Sequence, residues 1–235
     1  MISNDVVVPQ PLAVAVSAVT PLVATFADMM DGELGVRLGQ SDGAGQWETG
    51  VSEPSFNEIL SMFLKYEAWD EASPGWVDIH DYLYTLGDGT RMRTSVELTT
   101  RLTLTHIIKH HVNKVELRMR NHGRARVSLK KEIDVNGKML PETVSPHTVR
   151  IMKRRSFTHG AWRFELTRVW RGSSRSSAEE AQERNQCAYE VEVAFVSTEG
   201  YWENPRHTPT YVSTSLLMKM VDVLSDEMIG CEVVG

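Results

Sequence analysis

The strongest constraint on this chain is a period-two alternation in which the polar partner is usually a full charge. Side chains two apart on a strand share one face. Glu33, Gly35 and Arg37 therefore fall on one side of a strand, with Leu34, Val36 and Leu38 on the other. Arg91 and Arg93 share a face, as do Arg126, Ser128, Lys130 and Glu132, and then Arg150, Met152 and Arg154. Arg163, Glu165 and Thr167 stand opposite Phe164 and Leu166, and Glu190, Glu192 and Ala194 opposite Val191, Val193 and Phe195. Two arrangements suit such strands. One is a sheet with a wet face and a buried face. The other is a closed barrel whose apolar faces pack under outer helices and whose charged faces turn towards each other. A narrow lumen of charge needs compensation. Carboxylates bind a hard divalent cation through oxygen, and arginines fork onto phosphate oxygens. The second arrangement predicts a socket for a metal-bound polyphosphate.

The remaining pattern supports many strands and few helices. Further strands are predicted over 79–86, 91–98, 102–109, 115–120, 124–133, 149–157, 162–171 and 188–196. Turn signals between them are Gly87-Asp88-Gly89, Asn121-His122-Gly123, Asn136-Gly137 and His159-Gly160. Residues 41–45 form a Gly-rich loop, and the polar stretch 172–183 reads as a mobile loop. Ser55 caps a predicted helix to about residue 72, with Ile59, Leu60, Phe63 and Leu64 on one face. A last helix starts near Ser213, with Leu216, Leu217, Met220, Val221 and Leu224 as its stripe. Residues 13–30 predict a helix broken at Pro21, in a partly helical arm over residues 1–31 ahead of the barrel domain. The expected fold is mainly β (α+β), an antiparallel barrel of eight or more strands with helices packed outside.

Charge is partitioned along the chain. The net charge is −6, which by itself disfavours a general nucleic-acid binder. Residues 91–175 nevertheless carry 20 Lys/Arg and 6 Asp/Glu, a net of +14, while the other 150 residues have a net of −20. One continuous third of the chain is thus suited to anions. Cys187 and Cys231 show no metal-type spacing, so a reducing compartment, cytosolic or nuclear, is expected. Residues 6–26 are uncharged, but Pro9, Pro11 and Pro21 and the missing basic flank argue against a membrane span or signal peptide. His106 and His110 share a face of strand-like sequence but His111 does not, so zinc is not expected. Trp162 and Trp170 share the parity of Phe164 and belong to the core.

From residue 32 to 196 these motifs resemble, in order, those of the tunnel-type, metal-dependent RNA 5′-triphosphatases of mRNA capping, within the triphosphate tunnel metalloenzymes. The small single-domain size is most like that of the kinetoplastid protozoan members. Glu33-Leu34-Gly35-Val36-Arg37-Leu38-Gly39 resembles the family's first strand, Glu-x-Glu-x-Lys/Arg. Glu190-Val191-Glu192-Val193-Ala194 resembles its last, Glu-x-Glu-x-Glu. Arg163-Phe164-Glu165-Leu166-Thr167 resembles Arg-x-acid-x-Thr, and Arg150-Ile151-Met152-Lys153-Arg154 resembles Arg-x-Lys-x-Arg. Arg126-Val127-Ser128-Leu129 with Glu132 resembles a basic strand ending in glutamate.

The resemblance implies a closed eight-stranded tunnel in which Mg²⁺ or Mn²⁺ and water remove the γ-phosphate of a 5′-triphosphate RNA end. It implies Glu33, Glu190 and Glu192 as metal ligands, the last two also serving the attacking water. It implies Arg37, Arg91, Lys109, Arg126, Arg150, Arg154 and Arg163 as phosphate ligands. Glu132 and Glu165 are implied to act by holding those cations. A capping guanylyltransferase is an implied partner, and a nuclear or cytoplasmic location follows. Gly35 and Ala194 stand where metal-binding glutamates are expected, and Met152 where a lysine is expected. Impaired hydrolysis is therefore expected. Two alternatives are a module that holds a 5′-triphosphate or polyphosphate without cutting it, and a metal-free barrel with a salt-bridged interior.

Overall fold

The computed structural model describes residues 10–29, 31–41, 46–118, 123–135, 144–196, 200–224 and 232–234. Eight strands close into a barrel: β1 (Gly32–Ser41), β4 (Val77–Thr85), β5 (Arg91–Glu97), β6 (Thr103–Arg118), β7 (Gly123–Asp134), β8 (Thr148–His159), β9 (Trp162–Gly172) and β10 (Ala188–Phe195). Their order around the wall is β10-β9-β8-β4-β5-β6-β7-β1, and β1 pairs with β10 to complete it. Every neighbouring pair is antiparallel. Closure removes the exposed strand edges. Short strands β2 (Trp47–Thr49), β3 (Glu71–Ala72) and β11 (Glu232–Val234) join β1, β8 and β6.

The hydrophobic core lies outside the barrel. The outward positions Leu34, Val36, Leu38, Val127, Leu129, Phe164, Leu166, Val191 and Val193 are all buried. They are covered by α1 (Gln10–Ala27), α2 (Glu53–Lys65) and α4 (Pro209–Leu224). Leu12, Ala15, Val16, Val19, Leu22, Val23 and Phe26 of α1 are buried at helical spacing. Phe56, Ile59 and Phe63 of α2 and Leu216, Leu217 and Met220 of α4 complete the layer. Trp162 and Trp170 are core residues, and the Trp162 indole donates to Ser215 Oγ at 2.9 Å. The charged strand faces therefore have only the lumen to point into.

Several expectations need correction. α1 runs unbroken through Pro21, because Pro21 lies on the exposed face and its missing N–H costs one bond in a helix held by tertiary packing. It shares one core with the barrel wall. Residues 175–183 are not a loop but a helix, α3 (Arg175–Glu183), with Ser174 and Ser177 bonding reciprocally as a capping box. α3 packs through Ala178 and Ala181 onto Val149, Ile151 and Trp170. The two strands expected over 102–120 are one strand, β6, with a bulge between His111 and Asn113. α2 is capped by Ser52 and ends at Lys65. The expected turn residues Asn121-His122 and Asn136-Gly137, Gly43 to Gly45 of the loop, Cys231, and the Val221 and Leu224 side chains lie outside the described residues. No helix among the described residues is long and apolar enough to cross a membrane.

Candidate functional site

Opposed residues of antiparallel neighbours share a face, so the register fixes what meets in the lumen. Gly35 lies opposite Ala194 and Arg37 opposite Glu192. Ser156 lies opposite Glu165 and Arg154 opposite Thr167, and Lys109 opposite Glu132. The inward side chains enclose a cavity of about 170 Å³, lined by Glu33, Arg37, Arg93, Thr105, Glu132, Arg150, Arg154, Arg163, Glu165, Thr167, Glu190, Glu192 and Ala194.

Four ion-pair groups organise this interior. Arg37 Nε donates to Glu192 Oε2 at 3.0 Å. Burial opposes ionisation of Glu192, but Arg37 and then Lys130 overcome it and draw its pKa down to about 2. Glu33 receives Lys109 Nζ at 2.7 Å and has Lys130 Nζ at 3.5 Å. Its pKa is driven well below the carboxylate range, since Lys109 and Lys130 outweigh burial. Glu132 also contacts Lys109. Burial, a hydrogen bond to Glu33 and the charge of Glu33 raise its pKa, against the charge of Lys109. Arg150 contacts Glu190 at 2.7 Å and Asp81 at 3.5 Å, and Asp81 accepts from Ser95 Oγ at 2.6 Å. Arg171 holds the other oxygen of Glu190. Glu165 lies 3.0 Å from both Arg154 and Arg163.

Arg93 is the exception. Its Nε and the nearby Thr105 Oγ1 are buried without a hydrogen-bond partner, and among the described residues it joins no ion pair. Ser95 pairs with Thr105 on β6, so both groups lie on one stretch of wall. A buried donor left unmade costs free energy, and an anion in the cavity would satisfy it.

The structure brings together Glu33, Arg37, Lys109, Glu132, Arg150, Arg154, Arg163, Glu165, Glu190 and Glu192. It does not bring in Arg91, which is exposed at the start of β5; its strand faces the cavity through Arg93 instead. Arg126 also lies off the cavity, bonded to Glu116 at 2.8 Å with its guanidinium 4.2 Å from the centre of the Trp47 ring. Strand parity made Arg93 equal to Arg91; only register separates them. Asp81 gave no signal, because its strand reads apolar at the inward neighbours Val77, Ile79 and Leu83.

A divalent metal does not fit these residues. Positions 35 and 194, opposed across β1 and β10, supply no oxygen. Glu33, Glu190 and Glu192 are each bonded to a lysine or arginine that a cation would have to displace. No group of three or more His, Cys, Asp or Glu positioned to hold a metal occurs among the described residues.

Residues 76–225 match the family described as mRNA capping enzyme, beta chain, which is well over half of the chain. No curated protein sequence matches it. Among solved structures it is similar to the S. pombe Pct1 RNA triphosphatase in complex with the Spt5 CTD, with a TM-score of 0.70 at 16% identity over 95% of this chain and 96% of that one. It is also similar to the mimivirus capping enzyme triphosphatase, with a TM-score of 0.58 at 11% identity over 89% and 96%. At these identities the likeness shows the fold, a triphosphate tunnel. The sequence match and the shared barrel together establish that this chain belongs to the mRNA capping enzyme beta-chain family, the tunnel-type RNA 5′-triphosphatases.

Proposed function

We propose that this tunnel binds the triphosphate of a 5′-triphosphate RNA end without needing a divalent metal, and that it hydrolyses the γ-phosphate poorly or not at all. The observation that carries this reading is the division of labour inside the barrel. Each carboxylate is committed to a cation, while Arg93 Nε and Thr105 Oγ1 are buried without a hydrogen-bond partner. Arg37, Arg150, Arg154 and Arg163 surround the same space, and each can turn a free N–H towards phosphate oxygens.

Phosphoryl transfer relies on metal and cation electrostatics more than on covalent help. A bed that keeps the arginines while losing metal oxygens retains affinity and loses rate. Glu192 and Glu33 keep Arg37, Lys109 and Lys130 in place, and Glu132 joins Glu33 on Lys109. Acting on nascent transcripts, such a protein would work beside a capping guanylyltransferase, in the compartment where caps are made.

The test is a titration of 5′-triphosphate RNA into the protein in EDTA, beside phosphate release from γ-labelled RNA with Mg²⁺ or Mn²⁺. Binding in EDTA without turnover is expected. Release at about 1 s⁻¹ or faster, an ordinary enzymatic rate, overturns the reading. Absence of binding leaves a salt-bridged structural barrel.

A further inference from the structure

Inward positions continue past the charged cavity on three strands. On β9, Arg163, Glu165 and Thr167 are followed by Val169 and Arg171; on β10, Glu192 and Glu190 are followed by Ala188; on β1, Arg37 is followed by Gly39. Val169, Arg171 and Ala188 border a second chamber of about 490 Å³, with Trp47, Thr49, Ala181 and Gln186. The Arg171–Glu190 pair lies between the two spaces, since Glu190 lines the first and Arg171 the second.

The chemistry changes at this boundary. Val169 and Ala188 pack with Ile79, Met152 and Val77 as an apolar cluster within the lumen. Met152 lies between Arg150 and Arg154 on the inward face of β8, so the run of phosphate-binding charge is interrupted at that point. The chamber holds a single cation, Arg171, already bonded to Glu190, and Glu48 stands at its rim. A longer phosphate chain would find little to bind it there.

Trp47 is held in place on the inner side of the wall. Its Nε1 donates to Thr49 Oγ1 at 2.9 Å, and Arg126 backs the ring at 4.2 Å from its centre. A Cβ at Gly39 would come within 2.7 Å of the indole, so glycine there is what lets the ring lie across β1. The volume falls in the roughly 300–1,000 Å³ range of small-molecule sites, with Trp47 as an aromatic wall, Val169, Ala181 and Ala188 as apolar surface and Glu48, Thr49, Arg171 and Gln186 as polar groups.

We propose that this chamber is a nucleoside subsite, which seats the base and ribose of the terminal nucleotide with the base against Trp47 while its triphosphate occupies the charged cavity. The inference rests on the triphosphate-binding reading above. It adds that the ligand is a nucleotide end rather than inorganic polyphosphate.

Calorimetric titration of the full chain with ATP and with inorganic tripolyphosphate, both in EDTA, tests it. ATP should bind roughly tenfold more tightly than tripolyphosphate, the scale of one base stacked on an aromatic ring. Trp47→Ala should abolish that difference and leave tripolyphosphate affinity unchanged, while Trp47→Phe should keep most of it. Ala188→Phe, which narrows the chamber from the opposite wall, should weaken ATP selectively and provides a variant that keeps Trp47. Equal affinity for the two ligands in the wild-type chain overturns the nucleoside subsite while triphosphate binding stands. So does a loss in Trp47→Ala that is the same for both ligands. If neither ligand binds the wild-type chain, the triphosphate-binding reading itself fails.

Discussion

Gly35 and Ala194 face each other across β1 and β10, and both point into the barrel. The two positions empty of carboxylate are thus one place in three dimensions. A side chain at position 35 would have its Cβ 3.2 Å from the Val193 carbonyl oxygen and 3.5 Å from Glu192 Oε1, a tight but negotiable fit. The double change Gly35→Glu with Ala194→Glu should therefore fold. Without metal, two more carboxylates beside Glu33 and Glu192 should lower Tm by like-charge repulsion. Adding Mn²⁺ should restore Tm through linkage and produce metal-dependent phosphate release. If Mn²⁺ moves neither Tm nor phosphate release, opposed carboxylates at 35 and 194 do not make a metal site.

Arg93 and Arg150 should part company when each is changed to Met. Arg93 has no partner among the described residues to leave behind, so Arg93→Met should cost little stability. It should weaken triphosphate binding by about 2 kcal/mol, the worth of a charge-assisted hydrogen bond, or roughly 30-fold. Arg150→Met strands Asp81 and part of Glu190 in the interior and should destabilise by about 3–5 kcal/mol. Urea unfolding beside ligand titration separates the two effects; similar stability losses in both variants would contradict the assignment.

Acid should weaken the barrel through Glu192. Its pKa is about 2 in the folded chain, against roughly 4.3 in an unfolded one. A depressed carboxylate contributes stability above the unfolded value and loses it as pH falls through the folded value. The contribution, about 3 kcal/mol from the size of the shift, should be whole at pH 6 and fade between about pH 4.5 and 2. Glu33 acts in the same direction. Glu192→Gln should therefore differ most from the wild type near neutrality and converge with it at low pH. Parallel stability curves down to pH 2.5 would show that the Arg37 pair does not hold this carboxylate.

α3 should depend on its cap. Ser174 Oγ accepts from the Ser177 N–H at 3.2 Å, and the helix buries only Ala178 and Ala181. Ser174→Ala should cost about 1 kcal/mol and increase amide exchange across 175–183. Unchanged exchange there would mean that the two alanines alone hold the helix.

The alternation rule reaches far here because the period of a strand is rigid. A strand that alternates arginine with leucine tells which residues share a face, and Glu33, Arg37, Arg154, Glu165, Glu190 and Glu192 do share the lumen. Features carried by few apolar contacts left no such trace. α3 packs by two alanines, so no hydrophobic stripe marks it. β2 has three residues, and its Trp47 acquires meaning only where Gly39 lets it cross β1. Pro21 is a break signal that packing on the buried face of α1 overrides.

What the sequence by itself determined is the inside-out character of the chain: apolar faces that need outer helices, charged faces left for a lumen, and two carboxylates missing from it. What only the tertiary structure decided is which charges meet. Register between strands far apart in sequence set Gly35 against Ala194, chose Arg93 over Arg91, and bonded each remaining glutamate to a cation. Parity is a property of one strand, whereas partners depend on how neighbouring strands slide past one another. That choice left a lumen of paired charges in which the Arg93 Nε has no partner among the described residues.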